Sequence, residues 1–353
     1  MADLLTLDNL TTEIATSLGT VTPVDHVSLR VPAGGRVGLV GESGSGKSMT
    51  AFSIMRLFPT TVASVTGGRI VFDGRDLTQL SDPEMRLVRG QHIAMVFQDP
   101  TTYLNPVLTV GEQVAEAWAM HHEWDGAWDR AVEALGLVGL PDPGETAKRH
   151  PHELSGGMRQ RAVIAQAIVC RPKLLIADEP TTALDVTIQA QILDLLRRLR
   201  TELGMALLLI THDLGVVAEM CETVAVMYAG RLVEIGPAAQ VFASPSHPYT
   251  QGLLSSAISV QQTQQITRAM EGSVPDLRDP PPGCRFHPRC PFVMPTCRVE
   301  APPLLLSGPD QTAACWLHDP EVVAREKSMQ GQPGREGSAP RPATPESTWG
   351  RPG

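Results

Sequence analysis

Short apolar runs alternate with amphipathic stretches over the first 243 residues. Three of the runs, at 36–41, 173–178 and 205–211, have the length of buried strands. Between the last two, apolar residues recur at helical spacing over 186–203, which predicts an amphipathic helix that ends at Gly204. Strands that alternate with helices predict an α/β fold with a largely parallel sheet.

The pattern changes from about residue 110 to residue 166, where it is predominantly helical and interrupted by Pro143, Gly144 and Pro151. This stretch predicts a helical subdomain inserted in the α/β unit.

The composition changes after residue 243. Residues 244–329 contain proline-rich stretches and four cysteines, which predicts a small extension. Residues 330–353 are rich in Pro, Gly, Ser and Arg, which predicts a disordered tail because they carry little apolar surface to bury. We therefore expect an α/β domain over 1–243, an extension over 244–329 and a tail over 330–353.

The overall composition narrows the function classes. The chain has 353 residues, a hydrophobic fraction of 42% and a net charge of −9. The negative charge argues against nucleic-acid binding, which needs excess Lys and Arg to neutralise phosphates. No apolar run approaches the roughly 20 residues that cross a bilayer, and the N-terminus does not resemble a signal peptide. We expect a cytoplasmic protein whose membrane role, if any, depends on a partner.

A glycine-rich loop follows the first apolar run. Residues 41–48 fit the phosphate-binding pattern G-x-x-x-x-G-K-[ST], between a predicted strand and a helical stretch at 49–57. Such a loop turns backbone N–H groups toward phosphate oxygens, and the helix N-terminus favours an anion. Lys47 would contact the terminal phosphates and Ser48 would ligate Mg²⁺. The predicted nucleotide-binding residues here are Gly41, Ser43, Gly44, Ser45, Gly46, Lys47, Ser48 and Met49.

Two carboxylates end the second apolar run. Asp178, at the predicted strand end, would hold Mg²⁺. Glu179 follows directly and is placed to polarise an attacking water. An acidic pair at a strand end is often only solvated, but beside a phosphate-binding loop it predicts phosphoryl transfer.

A second candidate anion site begins at Ser155-Gly156-Gly157, followed by Gln160 and Arg161. A serine and two glycines before a predicted helix offer converging donors suited to a γ-phosphate. They also fit an ordinary helix cap.

The order of these elements identifies a resemblance to ABC ATPases. The matching elements, in chain order, are the loop 41–48, Gln98, Ser155-Gly156-Gly157, Asp178-Glu179, Asp185 and His212. The resemblance implies that Gln98 contacts Mg²⁺ and water and relays to membrane subunits. It also implies that Asp185 lies between subunits and that His212 acts at the γ-phosphate. Two such domains would sandwich two ATP molecules. The signature segment of each domain, Ser155-Gly156-Gly157, would then complete the site of its partner.

Three segments resemble the dipeptide and oligopeptide importers more closely: 98–100, 104–106 and 246–250. This resemblance implies peptide import with a second, paralogous ATPase in a heterodimer, two transmembrane permeases and an extracellular binding protein. The location implied is the cytoplasmic face of the membrane. An importer of nickel or another small solute is the alternative within the subfamily. A soluble ABC ATPase is the alternative class, although one cassette without sustained heptads argues against it. The C-terminal extension argues against an exporter.

Residues 101–111 follow Gln98 and include the apolar side chains Tyr103, Leu104 and Val107. We expect this stretch to contact a cytoplasmic helix of the permease.

Four cysteines crowd into the extension: Cys284, Cys290, Cys297 and Cys315. Disulfides are disfavoured in a reducing compartment. Structural zinc sites usually use closer pairs than these spacings provide, and buried free thiols are a further reading. A [4Fe–4S] cluster needs four thiolates and tolerates wider spacing. Similar cysteines in peptide-importer ATPases imply such a cluster here, with zinc as the alternative.

Overall fold

The computed structural model describes residues 2–58, 60, 62–98, 100–182, 184–261 and 272–330. Residues 331–353 of the predicted tail lie outside the described residues, and residue 330 is the last residue of a helix.

The described residues form an α/β fold. Its strands are β1 (Asp3–Thr16), β2 (Gly19–Pro32), β3 (Arg36–Val40), β4 (Ala63–Phe72), β5 (Arg75–Asp76), β6 (Ile93–Val96), β7 (Leu174–Asp178), β8 (Ala206–Thr211), β9 (Thr223–Tyr228), β10 (Arg231–Pro237), β11 (Leu305–Gly308) and β12 (Gln311–Ala313). Its α-helices are α1 (Lys47–Met55), α2 (Asp82–Val88), α3 (Pro100–Tyr103), α4 (Val110–Ala119), α5 (Ala127–Leu137), α6 (Pro143–Ala147), α7 (Gly156–Ile168), α8 (Val186–Leu203), α9 (Leu214–Met220), α10 (Ala238–Ala243), α11 (Pro248–Gln261) and α12 (Pro320–Gln330). Short 3₁₀ turns lie at Leu77–Gln79, Pro151–Glu153, His287–Arg289, Pro295–Arg298 and Trp316–His318.

The larger sheet has the order β11-β12-β10-β9-β3-β8-β7-β6. Its centre is parallel, as the apolar runs predict, because β3 pairs with β8 and β9, and β7 pairs with β6 and β8. Val40 lies beside Thr211, and Asp178 lies beside Ile210. The carboxyl ends of β3, β7 and β8 therefore meet at one edge of the sheet, where α/β folds place their ligands.

A smaller antiparallel sheet, in the order β2-β1-β4-β5, was not predicted. Strands β1 and β2 are 14 residues long, but the β1–β2 pairing shifts register at several points. Asn9 and His26 adopt φ angles of 48° and 53°, which breaks the regular alternation of apolar and polar positions. The sheet packs its apolar face over α1.

The helical stretch expected at 110–166 contains α4, α5, α6 and most of α7. Helix α8 spans 186–203 as the spacing predicts, and Gly204 ends it at φ 66°. Helix α1 begins two residues before the predicted 49–57 stretch and ends at Met55, because Arg56 turns left-handed at φ 48°. None of the helices in the described ranges is long and apolar enough to span a membrane.

The extension packs directly on the α/β unit. Strand β12 pairs with β10, and Tyr249 and Phe286 lie in the same apolar core as the larger sheet. Buried Glu234 on β10 accepts hydrogen bonds from the N–H groups of Ser246 and His247, at 2.7 and 2.9 Å. This carboxylate ties the start of the extension to the sheet; the domain boundaries remain predictions.

Candidate nucleotide site

The loop 41–48 connects the end of β3 to α1, and two of its glycines have no room for a side chain. Gly41 and Gly46 adopt φ angles of 154° and 108°. A Cβ on Gly41 would lie 2.2 Å from the Met227 carbonyl oxygen, and one on Gly46 would lie 2.0 Å from the Pro23 carbonyl oxygen. The loop thus depends on glycine to keep its backbone close to the neighbouring strands.

Lys47 is buried at the start of α1. Its Nζ donates to the carbonyl oxygens of Gly41 and Glu42, at 2.8 and 3.0 Å. Burial lowers the pKa of Lys47, and the nearby carboxylates of Glu179, Asp178 and Glu42 partly oppose that effect. The ammonium is therefore held inside the loop, where a phosphate could replace the two carbonyl oxygens as its partner.

Asp178 ends β7 beside this loop. Its Oδ1 is buried and has no hydrogen-bond partner among the described residues. Burial raises the pKa of Asp178 to about 6, while a hydrogen bond with Ser48 and the charge of Lys47 act in the opposite direction. An unpartnered buried carboxylate oxygen beside a serine hydroxyl is a donor set that suits a hard divalent cation such as Mg²⁺.

Glu179 and His212 come together from the ends of β7 and β8. The Nδ1 of His212 lies 2.9 and 2.8 Å from the two carboxylate oxygens of Glu179. The Thr182 hydroxyl donates to the same carboxylate at 2.6 Å. Glu179 holds a left-handed φ of 48°, an uncommon conformation that is typical of functional positions. Its side chain is nearly buried and that of His212 is exposed, so the pair faces an opening.

One open cavity of about 540 Å³ joins these groups. Its lining comprises Gly41, Glu42, Ser43, Gln98, Glu179, Thr182, His212, Leu214, Leu253 and Ser256. Gln98, predicted to belong to the site, is thus brought to the same cavity as Glu179 and His212. A water or phosphate in the cavity would meet the loop on one side and the carboxylate–histidine pair on the other.

The signature segment and Asp185 are not part of this lining. Ser155 and Gly156 are exposed, and Ser155 caps α7 by accepting a hydrogen bond from the Met158 N–H at 3.3 Å. Asp185 is also exposed and caps α8, accepting from the Ile188 N–H at 2.9 Å. Within one chain these residues do not complete the cavity.

Sequence reasoning did not predict that two residues of the extension, Tyr249 and Arg289, hold the loop. The Tyr249 hydroxyl accepts a hydrogen bond from the Glu42 N–H at 2.9 Å, and Arg289 forms an ion pair with the Glu42 carboxylate. No local pattern could have indicated these contacts, because they join positions 207 and 247 residues apart.

The four cysteines of the extension line one pocket, together with His247, Phe286 and Trp316. All six cysteines of the chain are free thiols. Burial raises the pKa of Cys284 to about 11 and that of Cys315 to about 12. The backbone N–H groups two residues downstream of Cys284, Cys290 and Cys315 act in the opposite direction and lower the pKa of these thiols. In the described ranges, no three His, Cys, Asp or Glu side chains converge on the position of a single metal ion.

Comparison with known proteins gives two family matches. Residues 24–182 match the ABC transporter family, and residues 233–297 match the oligopeptide/dipeptide transporter C-terminal region. The first match contains the loop 41–48 and Asp178-Glu179; the second contains Tyr249, Arg289 and three of the four cysteines.

Similar proteins cover most of the chain. It is 49% identical to a dipeptide transport ATP-binding protein of Bacillus subtilis, over 90% of this chain and 96% of that protein. It is 52% identical to a probable peptide ABC transporter ATP-binding protein of Sinorhizobium fredii, over 84% and 89% of the two chains.

Among solved structures, the chain resembles the ATP-binding cassette MJ0796, a dimer bound to ADP and phosphate. The TM-score is 0.59 with 29% identity, over 66% of this chain and 98% of that one. It also resembles cbiO1 of Clostridium perfringens, part of an ABC transporter complex, with a TM-score of 0.60 and 27% identity over 75% and 97% of the two chains.

Proposed function

The chain belongs to the family of ABC transporter ATP-binding proteins, and from that premise we propose that it hydrolyses ATP to power the import of di- or oligopeptides. The observation that carries this proposal is the cavity in which the phosphate loop faces the Glu179–His212 pair. The relatives named for dipeptide and peptide transport support the substrate class, since they match both the α/β unit and the extension. The proposed units are the nucleotide-binding domain, 1–243, and the extension, 244–329.

The phosphates of ATP would lie over the loop 41–48 at the start of α1. Lys47 would leave the carbonyl oxygens that it now contacts and bind the terminal phosphates. Ser48, Gln98 and Asp178 would hold Mg²⁺, which neutralises charge on the phosphate oxygens. The buried Oδ1 of Asp178, which accepts no hydrogen bond from the described residues, supports this assignment because a bound cation would interact with it.

Glu179 is the proposed general base. It would accept a proton from water as the water oxygen attacks the γ-phosphorus and the bond to the bridging β–γ oxygen breaks, releasing ADP and phosphate. His212 contacts this carboxylate and would orient it toward the γ-phosphate. The Thr182 hydroxyl donates a hydrogen bond to Oε2 of the same carboxylate.

A second ATPase subunit completes the proposed site. Ser155, Gly156, Gly157 and Asp185 lie outside the cavity lining and, apart from the partly buried Gly157, are exposed, which supports contact with a partner's nucleotide. ABC cassettes dimerise, as the cassette MJ0796 does. We assign the partner here to a paralogue, so that two related chains sandwich two ATP molecules. Two transmembrane permeases and, indirectly, an extracellular binding protein complete the importer, with this chain at the cytoplasmic face.

The four cysteines are the proposed ligands of a [4Fe–4S] cluster. Four thiols share one pocket, and backbone N–H groups aimed at three of the sulfurs would stabilise thiolates. A single zinc ion needs sulfurs drawn close around one point, whereas a cluster places its iron–sulfur core between them. The wide spacing of the four cysteines along the chain fits a cluster better than it fits the closely paired cysteines of a zinc site. Its role would be structural or regulatory, since ATP hydrolysis transfers no electrons.

Coexpression with the permeases and the paralogous ATPase tests the function. We expect the chain to copurify with them in membranes and its ATP hydrolysis to rise when binding protein loaded with a dipeptide is added. A chain that hydrolyses ATP equally well without permeases, and does not copurify with them, would support the soluble class instead. Stimulation by a nickel-loaded or sugar-loaded binding protein, and not by a peptide-loaded one, would reassign the substrate.

A further inference from the structure

The four-cysteine segment reaches the phosphate loop through one arginine. Arg289 immediately precedes Cys290, and its side chain is only 6% exposed. Its Nη1 lies 2.8 Å from Oε2 of Glu42, and its Nη2 lies 3.1 Å from Oε1. Glu42 is the second residue of the loop 41–48. This is a two-point guanidinium–carboxylate contact, the geometry that fixes orientation as well as charge.

Aromatic side chains enclose the same contact. The Arg289 guanidinium lies 5.7 Å from the Tyr228 ring centre and 6.0 Å from that of Phe286. The Tyr249 ring packs against both rings, and its hydroxyl accepts a hydrogen bond from the Glu42 N–H. The backbone and the carboxylate of Glu42 are thus both held by the extension.

A second arginine beside a cysteine supports the loop from another side. Arg285 follows Cys284 and pairs with the buried carboxylate of Asp25 at 2.5 Å. The Asp25 N–H donates a hydrogen bond to the Gly230 carbonyl oxygen at 2.8 Å. The Gly230 N–H in turn donates to the Ser45 carbonyl oxygen, in the loop, at 2.8 Å. Arg289 therefore supports the loop directly at Glu42, and Arg285 supports it indirectly at Ser45.

The negative charge of Glu42 connects its ion pair with Arg289 to the binding of ATP. Glu42 lines the nucleotide cavity, and its carboxylate is close enough to influence Lys47. An unpaired carboxylate there would repel the phosphates of ATP, and this repulsion would be weakly screened beside a buried loop. Arg289 compensates that charge and fixes the orientation of the carboxylate through two hydrogen bonds.

We propose that Arg289 is a positioning residue for the phosphate loop, which neutralises and orients Glu42 and thereby raises the affinity of the loop for ATP. The proposal rests on ATP binding at the loop 41–48, as proposed above. It requires no electron transfer and no metal, only the contact between the Arg289 guanidinium and the Glu42 carboxylate.

The test measures the binding of a fluorescent ATP analogue with Mg²⁺ to the full chain, and the kcat and KM of the assembled transporter. Arg289→Ala should raise Kd and KM about tenfold, the expected loss of a charged hydrogen-bonded pair, with kcat changed less than about twofold. In a Glu42→Gln background the same change should alter Kd by less than about twofold, because the repelling charge is already gone. Arg298→Ala is the matched control, since Arg298 is exposed and adjoins Cys297.

Unchanged affinity in Arg289→Ala would overturn the proposal. So would an equal loss with and without Glu42→Gln, which would indicate general loosening of the fold. If the alanine variant does not fold, Arg289→Lys tests the same claim, because it keeps a charge but loses the two-point contact; a Kd equal to wild type would overturn the proposal. Wild-type protein that does not bind ATP would instead contradict the proposed function and this inference with it.

Discussion

The nucleotide site and the four-cysteine segment differ in how their chemistry is distributed along the chain. In the nucleotide site, the important side chains lie at or just after the carboxyl ends of strands, and the parallel pairing of β3, β7 and β8 brings those ends to one edge. In the segment, the cysteines lie in short turns, and the pocket that they share is lined by residues of the extension itself, such as His247, Phe286 and Trp316. The end of a strand specifies the position of a side chain in the folded structure. The spacing of cysteines specifies only that the thiols are close together in the chain.

The largest expected effect is the loss of ATP hydrolysis when the proposed general base in the nucleotide site is changed. Glu179→Gln should slow ATP hydrolysis in the assembled transporter by about 10²- to 10⁴-fold, the usual contribution of a positioned general base, while ATP binding is retained. Single-turnover hydrolysis and nucleotide binding measure the two effects. Glu202→Gln is the control, because that carboxylate lies on the surface of α8 and pairs with Arg198. Near-normal turnover in Glu179→Gln would remove Glu179 from the mechanism.

The next effect concerns affinity rather than the chemical step. Lys47→Ala should weaken ATP binding by about 10- to 100-fold, because a buried ammonium that would contact the phosphates is lost. Titration with a fluorescent ATP analogue measures it. Lys173→Ala, which removes an exposed lysine paired with Asp73, should leave affinity unchanged. Equal affinities for both variants would place the phosphates elsewhere.

These two predictions rest on the part of the site that the sequence could specify. The phosphate pattern at 41–48, the strand-end carboxylates and the 186–203 helix depend on residues that are close in the chain, so their spacing carries the geometry. The antiparallel sheet was missed because left-handed residues such as Asn9 and His26 break its alternation. The contacts of Glu42 with Tyr249 and Arg289 were missed because they form only when the extension folds back over the loop. The cavity lining by Leu253 and Ser256 depends on that same packing.

The cysteine segment has its own chemical test. Protein purified without oxygen should be brown, with about four irons per chain, and Cys290→Ser should lose most of that iron. Cys221→Ser is the matched control, because Cys221 is a buried free thiol far from the other four in sequence. Burial raises the pKa of Cys284 to about 11 and that of Cys315 to about 12, so metal uptake must release protons and should be favoured as the pH rises. Colourless protein that contains one zinc per chain would show that a single zinc ion, and not a cluster, occupies the site.

The smallest expected signal tests the surface next to Gln98. Tyr103 is partly exposed and stacks on Phe97, with ring centres 4.1 Å apart. A photo-cross-linker at position 103 should capture a permease subunit in the assembled transporter, whereas one at the exposed Leu18, in the β1–β2 turn, should not. Capture of the partner ATPase alone would move the permease contact away from this surface.

The most direct measurement of the central claim is dipeptide uptake by sealed vesicles that contain the permeases, the paralogous ATPase and this chain, with peptide-binding protein on the substrate side. Uptake should require ATP and Mg²⁺ on the side where this chain lies, and at ATP concentrations below the wild-type KM it should fall about tenfold or more when this chain carries Lys47→Ala. Uptake that continues at the wild-type rate with Lys47→Ala, or that needs no ATP, would contradict the account.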